Sequence, residues 1–96
     1  MSIKRASFDL QEPLDGEKLA EFRSAIDRTA AAGIHEVTIN LDGLSKLDTA
    51  VISTLIFVLR KMREEGGGVS LSVVRKSILD TLRITGLDRV FAMEPA

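Results

Sequence analysis

Residues 36–64 read EVTINLDGLSKLDTAVISTLIFVLRKMRE, and the spacing of the apolar positions changes partway along. At first they alternate. Val37, Ile39 and Leu41 fall on one side and Glu36, Thr38 and Asn40 on the other, which is the pattern of a strand with one buried face. Beyond the turn DGLSK, Val51, Leu55, Val58, Leu59 and Met62 return at helical intervals, with Ile52 at their margin. The pair Asp48-Thr49 stands where one period gives way to the other. Both residue types cap helices well, because a side-chain oxygen can accept from the unpaired N–H groups of a first turn. A strand leading straight into a long amphipathic helix is the building unit of an α/β sheet.

The same alternation of elements continues in both directions. Residues 4–10, KRASFDL, predict a short first strand. Pro13 and Asp15 then open a helix carrying Leu19, Phe22, Ile26 and Ala30 at helical spacing, and Gly33 stops it. Gly66-Gly67-Gly68 ends the second helix, and VSLSVV at 69–74 predicts another strand. A third helix is expected from Ser77, whose spacing to Asp80 resembles a capping box. Gly86 occupies the left-handed C-terminal position, with Leu87 placed to pack back onto the last turn. LDRVFAM closes the chain as a short turn or edge strand. The expectation is one α/β domain over 1–96, a sheet of about four strands with helices packed mainly on one face.

Composition narrows the function. The chain has 96 residues, 13 Lys and Arg against 14 Asp and Glu, four Phe, and no Trp, Tyr or Cys. Dispersed charge near neutrality argues against a nucleic-acid footprint, and the lack of Trp and Tyr against a base-stacking platform. Without cysteine there is no disulfide, thiolate ligand or thiol nucleophile, and the lone His35 has no second histidine to join it in a metal site. Gly66-Gly67-Gly68 lacks the Lys-Ser/Thr of a phosphate loop and reads as a helix stop. No cofactor, metal or catalytic constellation is expected, nor membrane insertion, since the longest apolar run falls far short of a span. MSIKRASFDL has no apolar core of a signal peptide. The reading is a cytoplasmic, non-catalytic protein.

The outer side of the second helix is unusual for an exposed surface. Arg60 and Glu64 charge its C-terminal end, but Thr49, Ser53, Ile56 and Phe57 line its start. An apolar patch flanked by hydroxyls suits a partner-binding surface made of Asp48, Thr49, Ser53, Ile56, Phe57 and Arg60. A phosphoryl group on Thr49 would sit by unpaired N–H groups at the positive end of the helix dipole, so the fold would tolerate it. It would also set a charge of about −1.5 to −2 beside Asp48, which a partner burying this surface would have to desolvate.

The stretches INLDGLSKLDTAVISTLIFVLRKMREEGGGVSLSVV (39–74) and ILDTLRITGLDRVF (78–91) resemble the sulphate-transporter and anti-sigma-factor-antagonist (STAS) domain family. The likeness is strongest to stand-alone bacterial anti-sigma factor antagonists and runs from about Leu14 to Met93. It implies a central sheet of mixed strand direction. It also implies a role as anti-sigma factor antagonist by partner switching, with Thr49 as phosphoacceptor and Asp48 as its acidic neighbour. The unphosphorylated protein would bind a serine/threonine kinase of histidine-kinase-like ATPase type that is itself an anti-sigma factor, and so free the sigma factor. Phosphorylation of Thr49 would abolish binding, and a phosphatase would reset the cycle. Three features depart from the family pattern. Ala50-Val51 replaces the usual Ser-Gly, Asn40 replaces a frequent Asp, and the N-terminus is short for the two strands that usually precede the first helix. A sheet edge left open in this way would invite a homodimer. The second function the resemblance implies is a small accessory subunit docking on the ATPase of a phospholipid-trafficking ABC transporter.

Overall fold

The computed structural model describes residues 4–94. In chain order the elements are β1 (Arg5–Gln11), α1 (Gly16–Ala31), β2 (Glu36–Gly43), α2 (Thr49–Glu64), β3 (Gly68–Ser72), α3 (Lys76–Thr85), a short 3-10 turn Leu87–Arg89, and β4 (Ala92–Glu94). Each strand is reached from the one before it through a helix. Such a crossover returns the chain to the end it left, so successive strands run the same way. The sheet has the order β1-β2-β3-β4 with every pairing parallel. The α/β class and four strands are as expected, but mixed strand direction is not found among the described residues. Two strands before α1 would supply an antiparallel pair, but among the described residues a single strand precedes it.

Crossovers of the usual right hand that all step the same way across a sheet place their helices on one face. The burial pattern agrees. Leu10, Val37, Ile39, Leu41, Val69, Leu71 and Val73 point into the core, while Ser7, Asp9, Thr38, Asn40, Ser70 and Ser72 form a polar outer face. The helices cover the core with the residues their spacing predicted. Leu19, Phe22, Ile26 and Ala30 are buried on α1, and Val51, Leu55, Val58, Leu59 and Met62 on α2. Phe8 meets Phe22 edge to face with ring centroids 5.4 Å apart, which locks β1 under α1.

Two expectations at the helix ends are met and one is corrected. Asp15 caps α1 by accepting from the Lys18 amide at 2.9 Å. Gly86 adopts φ 77°, with Leu87 buried behind it. The capping box at Ser77 is absent. The helix begins at Lys76, Ser77 lies within its first turn, and the N-cap Arg75 makes no side-chain capping bond. Asp42, at the end of β2, instead holds the chain as it enters the helix. Its carboxylate accepts from the Val74 and Arg75 amides at 2.9 and 3.1 Å, and the Arg75 guanidinium donates to the Asp42 carbonyl at 3.1 Å. The expected strand at 69–74 is likewise shorter, because the chain leaves the sheet after Ser72 to meet Asp42.

Candidate functional site

The loop between β2 and α2 decides where Asp48 and Thr49 stand, and it is held at several points. Leu44 and Leu47 are buried beneath it. Gly43 packs so closely on β1 that a Cβ there would lie 2.7 Å from the Leu10 carbonyl oxygen. Asn40 accepts from the Asp42 amide at 2.9 Å and donates weakly to Ser72 at 3.5 Å, so its amide serves the strand end. From the far side, Glu12 accepts from the Ser45 amide.

That last contact holds the Glu12 carboxyl below its ordinary value of 4.5, chiefly because Ser45 donates to the ionised form from its hydroxyl and then its amide. A carboxyl depressed by folding contributes stability above its unfolded pKa and loses it as pH falls through the folded one. Protection of the Ser45 amide, corrected for intrinsic exchange, should therefore hold from neutral pH down to 4.5 and fall only below it. In Glu12→Gln the acid dependence should disappear. Protection already lost above 4.5 would contradict the contact.

Asp48 is the N-cap of α2, its carboxylate accepting from the Val51 amide at 2.9 Å. The capping role therefore belongs to Asp48, and Thr49 is left as the first helical residue with its side chain exposed. The first intrahelical bond runs from the Ile52 amide to the Asp48 carbonyl at 3.0 Å. With the Val51 amide taken by the cap, the amides of Thr49 and Ala50 point out of the helix start. They are the groups an oxyanion on Thr49 would meet.

Thr49, Ser53, Ile56 and Arg60 lie within roughly 60° of one another around the helix at ~100° per residue. All four are exposed, Ile56 by 36%. Asp48 is exposed at the same end. Phe57 departs from the outward projection its position predicted. It is half-buried and packs against the core, under the Arg23 guanidinium of α1 at 5.4 Å from the ring centroid. The reason is the neighbouring helix. α1 runs alongside α2 and claims the side on which Phe57 emerges, and Lys61 pairs with Asp27 across the same seam at 3.7 Å. Phe57→Asp should accordingly cost about 2 kcal/mol in urea unfolding, through lost packing and lost cation–π contact. Ile56→Asp should stay within about 0.5 kcal/mol. Equal losses would mean that the two side chains share one environment.

Two residues of this region carry no sequence signal of their own. Thr54 is fully buried, and its hydroxyl donates to the Ala50 carbonyl at 2.8 Å. Arg23 reaches the same hydroxyl at 3.4 Å. Together with Gly16, Ala20, Ala50 and Ser53 they line a shallow groove of about 250 Å³ between the two helix starts. The small residues Gly16, Ala20 and Ala50 were the available hint of close helix approach.

Elsewhere the chemistry is sparse. His35 lies 3.6 Å from Glu65 at the surface. Among the described residues no helix is long and apolar enough to cross a membrane.

Comparison with known proteins places this arrangement. The fold is similar to that of a candidate anti-sigma factor antagonist of Thermotoga maritima (16% identity, 95% of this chain and 74% of that one, TM-score 0.74). It is also similar to Moorella thermoacetica RsbS bearing a serine-to-glutamate substitution (20% identity, 98% and 84% covered, TM-score 0.74). A third similar structure is the Bacillus cell fate determinant SpoIIAA in its phosphorylated form (16% identity, 99% and 88% covered, TM-score 0.73). At these identities the likeness is one of fold. The sequence model of the STAS domain matches residues 4–96, essentially the whole chain. With the four-stranded α/β fold it shares with these structures, the chain belongs to the STAS domain family.

Proposed function

We propose that the protein is an anti-sigma factor antagonist that works by partner switching, without catalytic activity of its own. The outer stripe of α2 binds a serine/threonine kinase of histidine-kinase-like ATPase type that doubles as the anti-sigma factor. Binding displaces the sigma factor. The kinase ends the interaction by moving the γ-phosphoryl group of ATP to the Thr49 oxygen, releasing ADP and the hydroxyl proton, and a phosphatase removes it again. One observation supports this reading above the others: Asp48 takes the capping bond and leaves the Thr49 hydroxyl in water at the first position of α2.

The roles divide by chemistry. Ile56 supplies the apolar contact, Ser53 and Arg60 its polar margins, and Phe57 supports the stripe from below with Arg23 across it. Asp48 fixes the helix start and, once Thr49 is phosphorylated, adds like charge beside the dianion. An uncompensated charge cluster buried against a partner costs several kcal/mol, whereas in the free protein water and the helix N-terminus accommodate it.

The test is direct. The purified chain is incubated with ATP and a histidine-kinase-like ATPase that binds it, and the phosphate is located by mass spectrometry. Modification at Thr49 supports the assignment. Stoichiometric modification at another residue, or none with an ATPase that binds the chain, overturns it.

A further inference from the structure

The two edges of the sheet differ. Among the described residues β4 spans only Ala92–Glu94, the kind of short edge that resists pairing. β1 is seven residues long and pairs with β2 on one side only. Its register with β2 is regular from Arg5 to Asp9 and shifts only between Asp9 and Gln11. Five consecutive residues thus present a straight run of backbone donors and acceptors with no described strand against them. Beside this edge runs a groove of about 560 Å³, floored by Leu10, Leu14 and Phe22 and rimmed by Lys18 and Glu21.

We infer that this edge takes the β1 strand of a second copy, antiparallel, about a two-fold axis through Ser7. Charge selects both the occupant and the register. Arg5 and Asp9 lie on the outer face of the same strand, four residues apart and two on either side of Ser7. Four residues of strand separate them by about 13 Å, too far to pair within one chain. Antiparallel pairing centred on Ser7 sets Arg5 of each copy opposite Asp9 of the other, giving two cross-strand ion pairs by symmetry. Shifting the centre to Phe8 would oppose Arg5 to Gln11 and Asp9 to Ser7 and lose both. Arg5 is otherwise held only by Glu94 at 3.9 Å, and Asp9 has no cation within 4.0 Å among the described residues.

The inner face fits the same register. Ala6 and Phe8 point toward the helices, and the two-fold sets the small side chain of one copy opposite the ring of the other. Lys4 falls opposite Leu10, where its aliphatic stem covers the apolar floor of the groove and its ammonium comes near the acidic rim at Glu21. The product is a continuous eight-stranded sheet with the polar faces of both copies on one side. The α2 stripe is not part of this contact, so the inference stands apart from the role of Thr49.

The experiment uses charge reversal on the 96-residue chain and reads the association constant by sedimentation equilibrium. Arg5→Asp and Asp9→Arg each turn two attractive pairs into repulsive ones, so either should weaken dimerisation about tenfold or more. The double reversal restores the complement and should return association to within about threefold of the unaltered chain. Thermal melts confirm that each variant folds. Asp9→Arg is the cleaner single variant, because it leaves the Arg5–Glu94 contact in place. The chain contains no cysteine, so Ser7→Cys introduces its only thiol. On the two-fold, paired Cα atoms are about 4.5–5.5 Å apart, within disulfide range. Mild oxidation should give a covalent dimer, whereas Gln11→Cys, about 27 Å from its own copy at eight residues of offset, should not. A monomer at every concentration, single reversals without effect, a double reversal that does not restore association, or equal cross-linking at both positions would overturn the inference.

Discussion

Thr49→Glu is expected to weaken binding of the partner ATPase about a hundredfold or more, while Thr49→Ala leaves it within about threefold. The two variants differ only in whether the surface must take a charge out of water. Alanine removes a hydroxyl that points into solvent at the first position of α2. Glutamate places a carboxylate beside Asp48, at the head of the stripe carrying Ser53, Ile56 and Arg60. In the free protein that carboxylate is favourable, since a negative charge at a helix N-terminus contributes about 0.3–1 kcal/mol of stability. The signature is thus opposite movement of two readouts: the melting temperature holds or rises while affinity collapses. A generally destabilised variant would lose both. Calorimetric titration and a thermal melt on the same sample separate the cases.

Gly67→Ala is expected to be the most damaging single-methyl change in the chain, at about 3 kcal/mol or more. A Cβ at this position would lie 1.8 Å from the His35 carbonyl oxygen, a backbone atom that cannot swing aside. The closeness has a cause. The turn after α2 is drawn onto the start of β2, with the Gly68 amide donating to the His35 carbonyl at 3.0 Å and the Gly67 amide to the Met62 carbonyl at 2.8 Å. Gly66 beside it adopts φ 82°, where a side chain is strained for conformational reasons alone. For a domain of this size the loss at Gly67 corresponds to a fall in melting temperature of about 12–24 °C. Gly16→Ala is the control. Nothing lies within 4 Å of its would-be Cβ at the start of α1, and its melt should be nearly unchanged.

Local periodicity carried the legible part of this fold. The alternation at Val37, Ile39 and Leu41 and the helical spacing from Val51 to Met62 mark which faces are buried, because each pattern depends on one element and one core. What the sequence hid depends on neighbours distant along the chain. The entry to α3 is held by Asp42, more than thirty residues away, through the Val74 and Arg75 amides, so the attractive spacing at Ser77 does not mark the helix start. Phe57 projects outward on an isolated helix, and only the position of α1 shows that Arg23 covers it. The gly-rich segment reads as a stop, but the near-contact of Gly67 with His35 needs the sheet to be assembled. At the candidate site, Asp48 and Thr49 were legible as a helix start. Which of the two caps and which stays free is a matter of a single hydrogen bond, from the Val51 amide to Asp48.

The central claim is that charge on the Thr49 oxygen switches binding while leaving the fold alone. The measurement that tests it most directly is titration of the partner ATPase with chain carrying phosphate on Thr49 and with unmodified chain, their amide spectra compared beforehand. The account predicts spectra that differ only around the start of α2 and an affinity lower by about a hundredfold or more for the phosphorylated form. Equal affinity for the two forms would contradict it.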